Sequence, residues 1–173
     1  MELLAAFRNI KTFVFDIDGV LTDGFLGILE DGQMVRRMNI KDGYALQLAI
    51  KQGYGIVIIT GGNSEAVRER LNRLGVKDVF LKEENKKKKL TEYIIENNLS
   101  WSEVLFMGDD IPDYTVMQMA GLACAPADAA PEIRYISNYI SPLKGGYGCA
   151  RDVIEKVLKL NDHWPMDTSI SSK

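Results

Sequence analysis

Apolar residues fall along this chain in two alternating patterns. Short, mainly apolar stretches at 13–17, 55–60, 78–81 and 103–107 have the length of strands buried on both faces. Between them, apolar positions recur every three or four residues, the mark of helices with one buried side. The spacing predicts a helix over 43–52 behind an Asp42 cap, with Ala45, Leu48 and Ala49 on one side and Gly53 after it. A second spans 65–74, capped by Asn63 or Ser64 and closed by Gly75, with Val67, Leu71 and Leu74 inward. A third opens at the lysine run 86–89 and reaches about Asn97, with Leu90, Ile94 and Ile95 inward. Pro112 suits the first turn of a helix over 112–120, and 149–160 reads as a final amphipathic helix. Residues 138–140 read as a last small strand. Residues 25–40, FLGILEDGQMVRRMNI, read as a β-hairpin about Asp31-Gly32, with mixed arms that suit a partner as well as a core.

Strands alternating with helices at this spacing predict an α/β fold, a Rossmann-like parallel sheet flanked by helices. The hairpin stands as a flap after the first strand, and no cap domain is inserted. We read 1–160 as one domain and 161–173 as a polar C-terminal tail, mobile unless a neighbouring subunit orders it.

The formal net charge of −3 gives no basic field, which argues against nucleic acid as a partner. The cysteines, Cys124 and Cys149, stand in unlike contexts with no metal spacing, and His163 is the one histidine. Two buried reduced thiols are expected, without a zinc site. No basic n-region precedes a long apolar core, and no stretch has membrane-spanning length, so a soluble cytoplasmic protein with no membrane partner is expected.

The chemistry collects where the strands end. The run Thr12 to Gly24, TFVFDIDGVLTDG, passes from apolar residues to Asp16 and Asp18, then glycine, then Asp23. The second strand ends in Thr60-Gly61-Gly62, and the run 103–107 in Gly108-Asp109-Asp110. In a parallel sheet these ends lie side by side at the edge where ligands bind. Clustered carboxylates repel, and a hard cation such as Mg²⁺ lets them coexist. A carboxylate beside such a cation can attack phosphorus and form an aspartyl-phosphate. Thr60 and the Gly61 N–H can donate to phosphate oxygens, and the 86–89 run offers a lysine for the same task.

DIDGVLTDG, ITG, a lysine after a short strand and GDDIPD together resemble the four motifs of the haloacid-dehalogenase superfamily. The short chain, the flap hairpin and the missing cap narrow the resemblance to its capless sugar-acid phosphatases, those of 3-deoxy-D-manno-octulosonate 8-phosphate and their nine-carbon relatives. The likeness runs from about residue 10 to 160. It implies hydrolysis of a phosphorylated keto-sugar acid, first of all the octulosonate 8-phosphate of lipopolysaccharide sugar biosynthesis, with Mg²⁺ as cofactor. It implies Asp16 as nucleophile and Asp18 as acid/base. The Asp16 carboxylate, the Asp18 carbonyl and Asp109 become the metal ligands. Thr60, Gly61 and Lys86 take the phosphoryl group. Asp110 and Asp113 stand behind them, Asp113 orienting Lys86, while lysines 87–89 are the solvated side of a helix start. It also implies a homotetramer in which the hairpin packs and neighbours close each site.

Two departures bear on the sugar. The octulosonate enzymes often carry a basic residue where this chain has Gly62, and an arginine where it has Tyr147. Gly62, Arg70, Gly146 and Tyr147 are therefore substrate-contact candidates, with Arg68, Lys82 and Arg151 as further cations for a carboxylate. A nonulosonate 9-phosphate is the alternative substrate, though the glutamate such enzymes can carry at position 62 is absent. A phospho-accepting receiver domain is the alternative of another class. Receivers place paired acids after the first strand and the phosphorylated Asp after a middle one, whereas here the spaced acids come first and GDD late.

Overall fold

The computed structural model describes residues 2–173. In chain order it contains α1 (Leu3–Asn9), β1 (Thr12–Phe15), β2 (Gly27–Ile28), β3 (Met34–Val35), α2 (Ile40–Lys51), β4 (Gly55–Ile59), α3 (Glu65–Arg73) and β5 (Asp78–Phe80). There follow α4 (Lys86–Glu96), β6 (Val104–Met107), α5 (Tyr114–Met117), β7 (Leu122–Ala125), α6 (Pro131–Ile136), β8 (Tyr139–Ile140) and α7 (Cys149–Leu160). Six strands form one sheet in the order β5-β4-β1-β6-β7-β8, and every pairing in it is parallel. This is the Rossmann-like α/β sheet expected, with no cap domain.

The strands read as continuous apolar runs because helices cover both faces. Phe13 and Phe15 join Ile56, Ile58, Leu105 and Met107 on the side of α1, α2, α3 and α7. Val14 joins Val57, Ile59, Val104 and Phe106 on the side of α4, α5 and α6. The two-residue period of a strand assigns neighbouring residues to opposite layers. β1 lies between β4 and β6 in register, Phe15 beside Ile58 and Met107, which brings three strand ends together.

Several boundaries differ from the sequence expectation, each for a local reason. β1 stops at Phe15, and 17–21 turn back, with Gly19 at φ +84°. α2 starts at Ile40, three residues early. Asn39 caps it by accepting from the Lys41 N–H, and Asp42 lies in the first turn, buried against α7. Ser64, not Asn63, caps α3. In α4, Leu90 and Ile94 are buried, whereas Ile95 is 70% exposed. The helix expected over 112–120 is shorter: one 3₁₀ turn, Ile111–Asp113, leads into α5, which ends at Met117. The hairpin is present, but its strands hold two residues each, and Phe25 and Ile28 on it are 79% and 75% exposed.

Residues 161–173 lie against α2 and α7 of their own chain. Trp164 meets the Tyr44 ring edge-on at 6.1 Å, and the Asp167 carbonyl accepts from the Tyr44 hydroxyl at 3.0 Å. Among the described residues, no helix is long and apolar enough to cross a membrane.

Candidate active site

Asp16 follows β1 directly, on backbone still extended, and its Oδ1 accepts from the Ile17 N–H at 2.7 Å. Its Oδ2 stands 3.0 Å from the Lys86 ammonium. Lys86 opens α4 behind an Asn85 cap, and its ammonium also donates to Asp113 Oδ1 at 2.6 Å. Asp113 Oδ2 accepts from the Asp109 N–H at 3.0 Å, so both its oxygens are taken. The Asp16, Asp109 and Asp113 carboxylates approach within 4.8 Å of one another.

The energetics of this cluster call for a cation. Burial first, then the Asp113 charge, pushes Asp16 up to about 6, with Lys86 opposing. Burial and the charges of Asp16, Asp113 and Asp110 push Asp109 up to about 8. Burial alone works to lower the Lys86 ammonium, but Asp16 and Asp113 outweigh it and raise it. Unlike Asp16 and Asp113, the Asp109 carboxylate accepts no hydrogen bond from a described residue, so it is the group a metal would satisfy. An ion held by carboxylate oxygens at a partly open edge suits Mg²⁺ chemistry.

Glycine makes this approach possible. A Cβ on Gly19 would lie 1.8 Å from Asp109 Oδ2, and its positive φ adds strain for any other residue. Gly145 and Gly146 back the same loop: a Cβ on Gly145 would lie 1.9 Å from the Gly19 carbonyl, and the Gly146 N–H donates to the Val20 carbonyl at 2.9 Å. Close backbone packing thus accounts for the glycine-rich segment.

A cleft of about 460 Å³ opens over the cluster, lined by Asp16, Asp18, Thr60, Gly61, Gly62 and Lys86, with Glu83, Glu84 and Pro112 at its edge. Thr60 is buried and its Oγ1 accepts from the Gly62 N–H at 3.1 Å. Asp110 is exposed and caps the turn at Ile111 through its Oδ1. The remaining candidates fall elsewhere. Arg70 donates to the Lys173 carbonyl at 2.8 Å, and Tyr147 lines a separate cavity of about 300 Å³ with Asp23 and Arg37. Arg68 lies 3.6 Å from Glu65, and the Arg151 guanidinium packs on both the Tyr44 and the Trp164 ring, 5.5 and 5.4 Å from their centroids. Lys82 borders a different cavity.

Sequence reasoning missed Arg36. Its Nε donates to Asp18 Oδ1 at 2.6 Å and its Nη2 to Asp18 Oδ2 at 3.2 Å. A basic residue on the predicted hairpin was visible, but nothing in the spacing aimed it at Asp18.

Comparisons with known proteins give the family and the fold of the chain. Residues 75–150 match the model of the haloacid dehalogenase-like hydrolases. The chain is 30% identical over 170 residues to the 3-deoxy-D-manno-octulosonate 8-phosphate phosphatase KdsC of Yersinia pestis, covering 98% of this chain and 91% of that one. It is 30% identical over 157 residues to KdsC of Escherichia coli K12, covering 91% and 84%. Its fold matches the phosphatase of that name from Moraxella catarrhalis, solved with magnesium, phosphate and KDO, at TM-score 0.90 and 29% identity, with 94% of each chain covered. At 30% identity along 98% of its length, and with a matching fold, this chain belongs to the 3-deoxy-D-manno-octulosonate 8-phosphate phosphatase family of haloacid dehalogenase-like hydrolases.

Proposed function

We propose that this protein hydrolyses 3-deoxy-D-manno-octulosonate 8-phosphate through an aspartyl-phosphate on Asp16. The observation that carries the reading is the placement of Asp16 between Lys86 and Asp109, at the floor of a cleft lined by Thr60 and Gly61. The names and the bound sugar acid of the relatives support the substrate.

The Asp16 carboxylate, the Asp18 carbonyl and Asp109 would hold Mg²⁺, with Asp113 fixing Lys86 beside them. Magnesium, when bound, neutralises charge on the phosphoryl oxygens. Thr60, the Gly61 N–H and Lys86 orient the same group. Asp16 forms a bond to phosphorus as the bond to the sugar oxygen breaks. That oxygen leaves with the electron pair and takes a proton from Asp18. A water then attacks phosphorus and gives its proton to Asp18, releasing phosphate and free Asp16.

The working form in this reading is a homotetramer. The apolar hairpin supports it, because exposed Phe25, Ile28, Met34 and Val35 form a surface that a second copy would cover. A neighbour would also narrow a cleft that one chain leaves open.

The test is phosphate release from a panel of sugar phosphates, including octulosonate and nonulosonate esters, with and without Mg²⁺. Magnesium-dependent turnover with preference for the octulosonate ester is expected, and abolition by Asp16→Asn. Full turnover by Asp16→Asn would remove the nucleophile assignment, and preference for the nonulosonate would replace the substrate.

A further inference from the structure

We infer that Arg36, delivered by the hairpin, is the positioning residue for Asp18: its guanidinium holds the Asp18 carboxylate in the orientation from which it meets the leaving oxygen. The inference rests on the phosphatase reading above and concerns how its acid/base is kept in place.

Four observations meet here. First, Asp18 sits in a turn at the cleft, and its side chain is 36% exposed. An aspartate so placed has several rotamers open to it. Second, Arg36 is its one hydrogen-bonding partner among the described residues, and it binds both carboxylate oxygens. A planar fork gripping a planar carboxylate fixes direction as well as distance. Third, the Arg36 side chain is itself 9% exposed, although Met34, Val35 and Arg37 around it are open to solvent. The hairpin spends its one inward cation on Asp18. Fourth, the pair lies against the turn that follows β4, beside Gly62 and Thr60. A Cβ on Gly62 would lie 3.4 Å from Arg36 Nη2, from Asp18 Oδ2 and from Thr60 Oγ1 alike.

The clamp is compatible with proton transfer. Each carboxylate oxygen has two lone pairs, and Arg36 occupies one on each. The others remain for the proton that goes to the sugar oxygen and for the one later taken from water. Lysine is a weaker replacement, because an ammonium is a point donor without the fork.

Leaving-group dependence tests this. An alkyl phosphate such as a sugar ester needs its departing oxygen protonated, whereas p-nitrophenolate leaves without help. In the intact protein with Mg²⁺, kcat/KM would be compared for the octulosonate ester and for p-nitrophenyl phosphate, in the wild type, Arg36→Gln and Arg36→Lys. This ratio reports the steps up to departure of the leaving group. Arg36→Gln is expected to lower kcat/KM for the sugar ester by roughly 100-fold, the scale of a misplaced acid, and to change the nitrophenyl ester only a few-fold. Arg36→Lys, which keeps the charge and guards against misfolding of the first variant, is expected to fall between. Equal losses on both esters in Arg36→Lys would overturn the inference, since direct contact with the phosphoryl group or general damage would produce them. Unchanged kcat/KM for the sugar ester in Arg36→Gln would overturn it too. A wild type that turned over neither ester would remove the phosphatase reading and this inference together.

Discussion

Lys86 and Asp113 lie 27 positions apart in sequence, yet their side chains meet at 2.6 Å with 5% and 1% exposure. Asp113 holds Lys86 from behind while Lys86 faces Asp16, so one pair links the first turn after β6 to the start of α4 beneath the cleft. Removing Asp113 leaves the buried Lys86 ammonium with Asp16 as its remaining acid, 3.0 Å away, and deprives the Asp109 N–H of its acceptor. Asp113→Ala is expected to destabilise the fold by about 1–3 kcal/mol, the cost of the lost hydrogen bonds, and activity to fall as Lys86 loses its direction. Urea unfolding and steady-state kinetics check both. Wild-type stability in the variant would mean that Asp16 alone satisfies Lys86.

As a proposed ligand, Asp109 would link metal binding to pH. Its carboxyl rises from 3.8 to about 8 in the folded chain, burial being the largest cause. Its folded pKa lies above its unfolded one, so the metal-free protein has this contribution in full below about pH 4 and loses it as pH rises towards 8. Magnesium binds the ionised form. Its stabilising effect is therefore expected to grow from pH 6 to pH 8.5, read as the rise in Tm over chelator-treated protein. Asp109→Asn should weaken that rise at every pH. A magnesium effect that shrank with rising pH would contradict the assignment.

Asp42 makes a similar case away from the cleft. Its Oδ1 accepts from the Arg151 N–H at 2.9 Å, while its Oδ2 is buried without a partner. Burial pushes this carboxyl up from 3.8 to about 6, Arg151 opposing. Its contribution is present below about pH 4 and lost as pH rises through 6. Asp42→Asn cannot ionise, so its stability relative to wild type should improve between pH 4.5 and pH 8. Two pKa units correspond to about 3 kcal/mol. Unfolding free energies at the two pH values measure the change, and a constant difference would count against it.

The proposed tetramer can be tested at the hairpin. Ile28→Glu puts a charge on its exposed apolar face. Light scattering is expected to show a tetramer for the wild type and a smaller species for the variant, with reduced turnover of the sugar ester. A fully active wild-type monomer would sink the proposal that neighbours complete the site.

Much of the architecture was legible in advance. Strands covered on both faces must be apolar throughout, so β1, β4 and β6 stood out as runs, and their polar ends marked the cleft. α7 was readable to the residue because its amphipathic stripe begins right after the glycines. The start of α2 was not. Asp42 has the chemistry of a cap, but it is drawn into a bond with Arg151 of α7, and Asn39 takes the cap instead. Ile95 has an apolar side chain on the outer face of α4, which spacing alone did not separate from Ile94.

The same division runs through the site. Asp16, Asp18, Thr60 and Asp109 announce themselves in sequence, because each stands where an apolar element ends and local pattern is enough to find such places; Lys86 is singled out of the run 86–89 by the family resemblance. Their partners do not. Arg36 meets Asp18, Gly19 admits Asp109, and Arg70 turns to the C-terminal segment, while the meeting of Lys86 and Asp113 was expected through the family resemblance and not through local pattern. These pairings depend on how strands are ordered in the sheet and on where the hairpin folds back. Strand order and chain reversal are set by packing between residues far apart in the chain, which no local pattern contains.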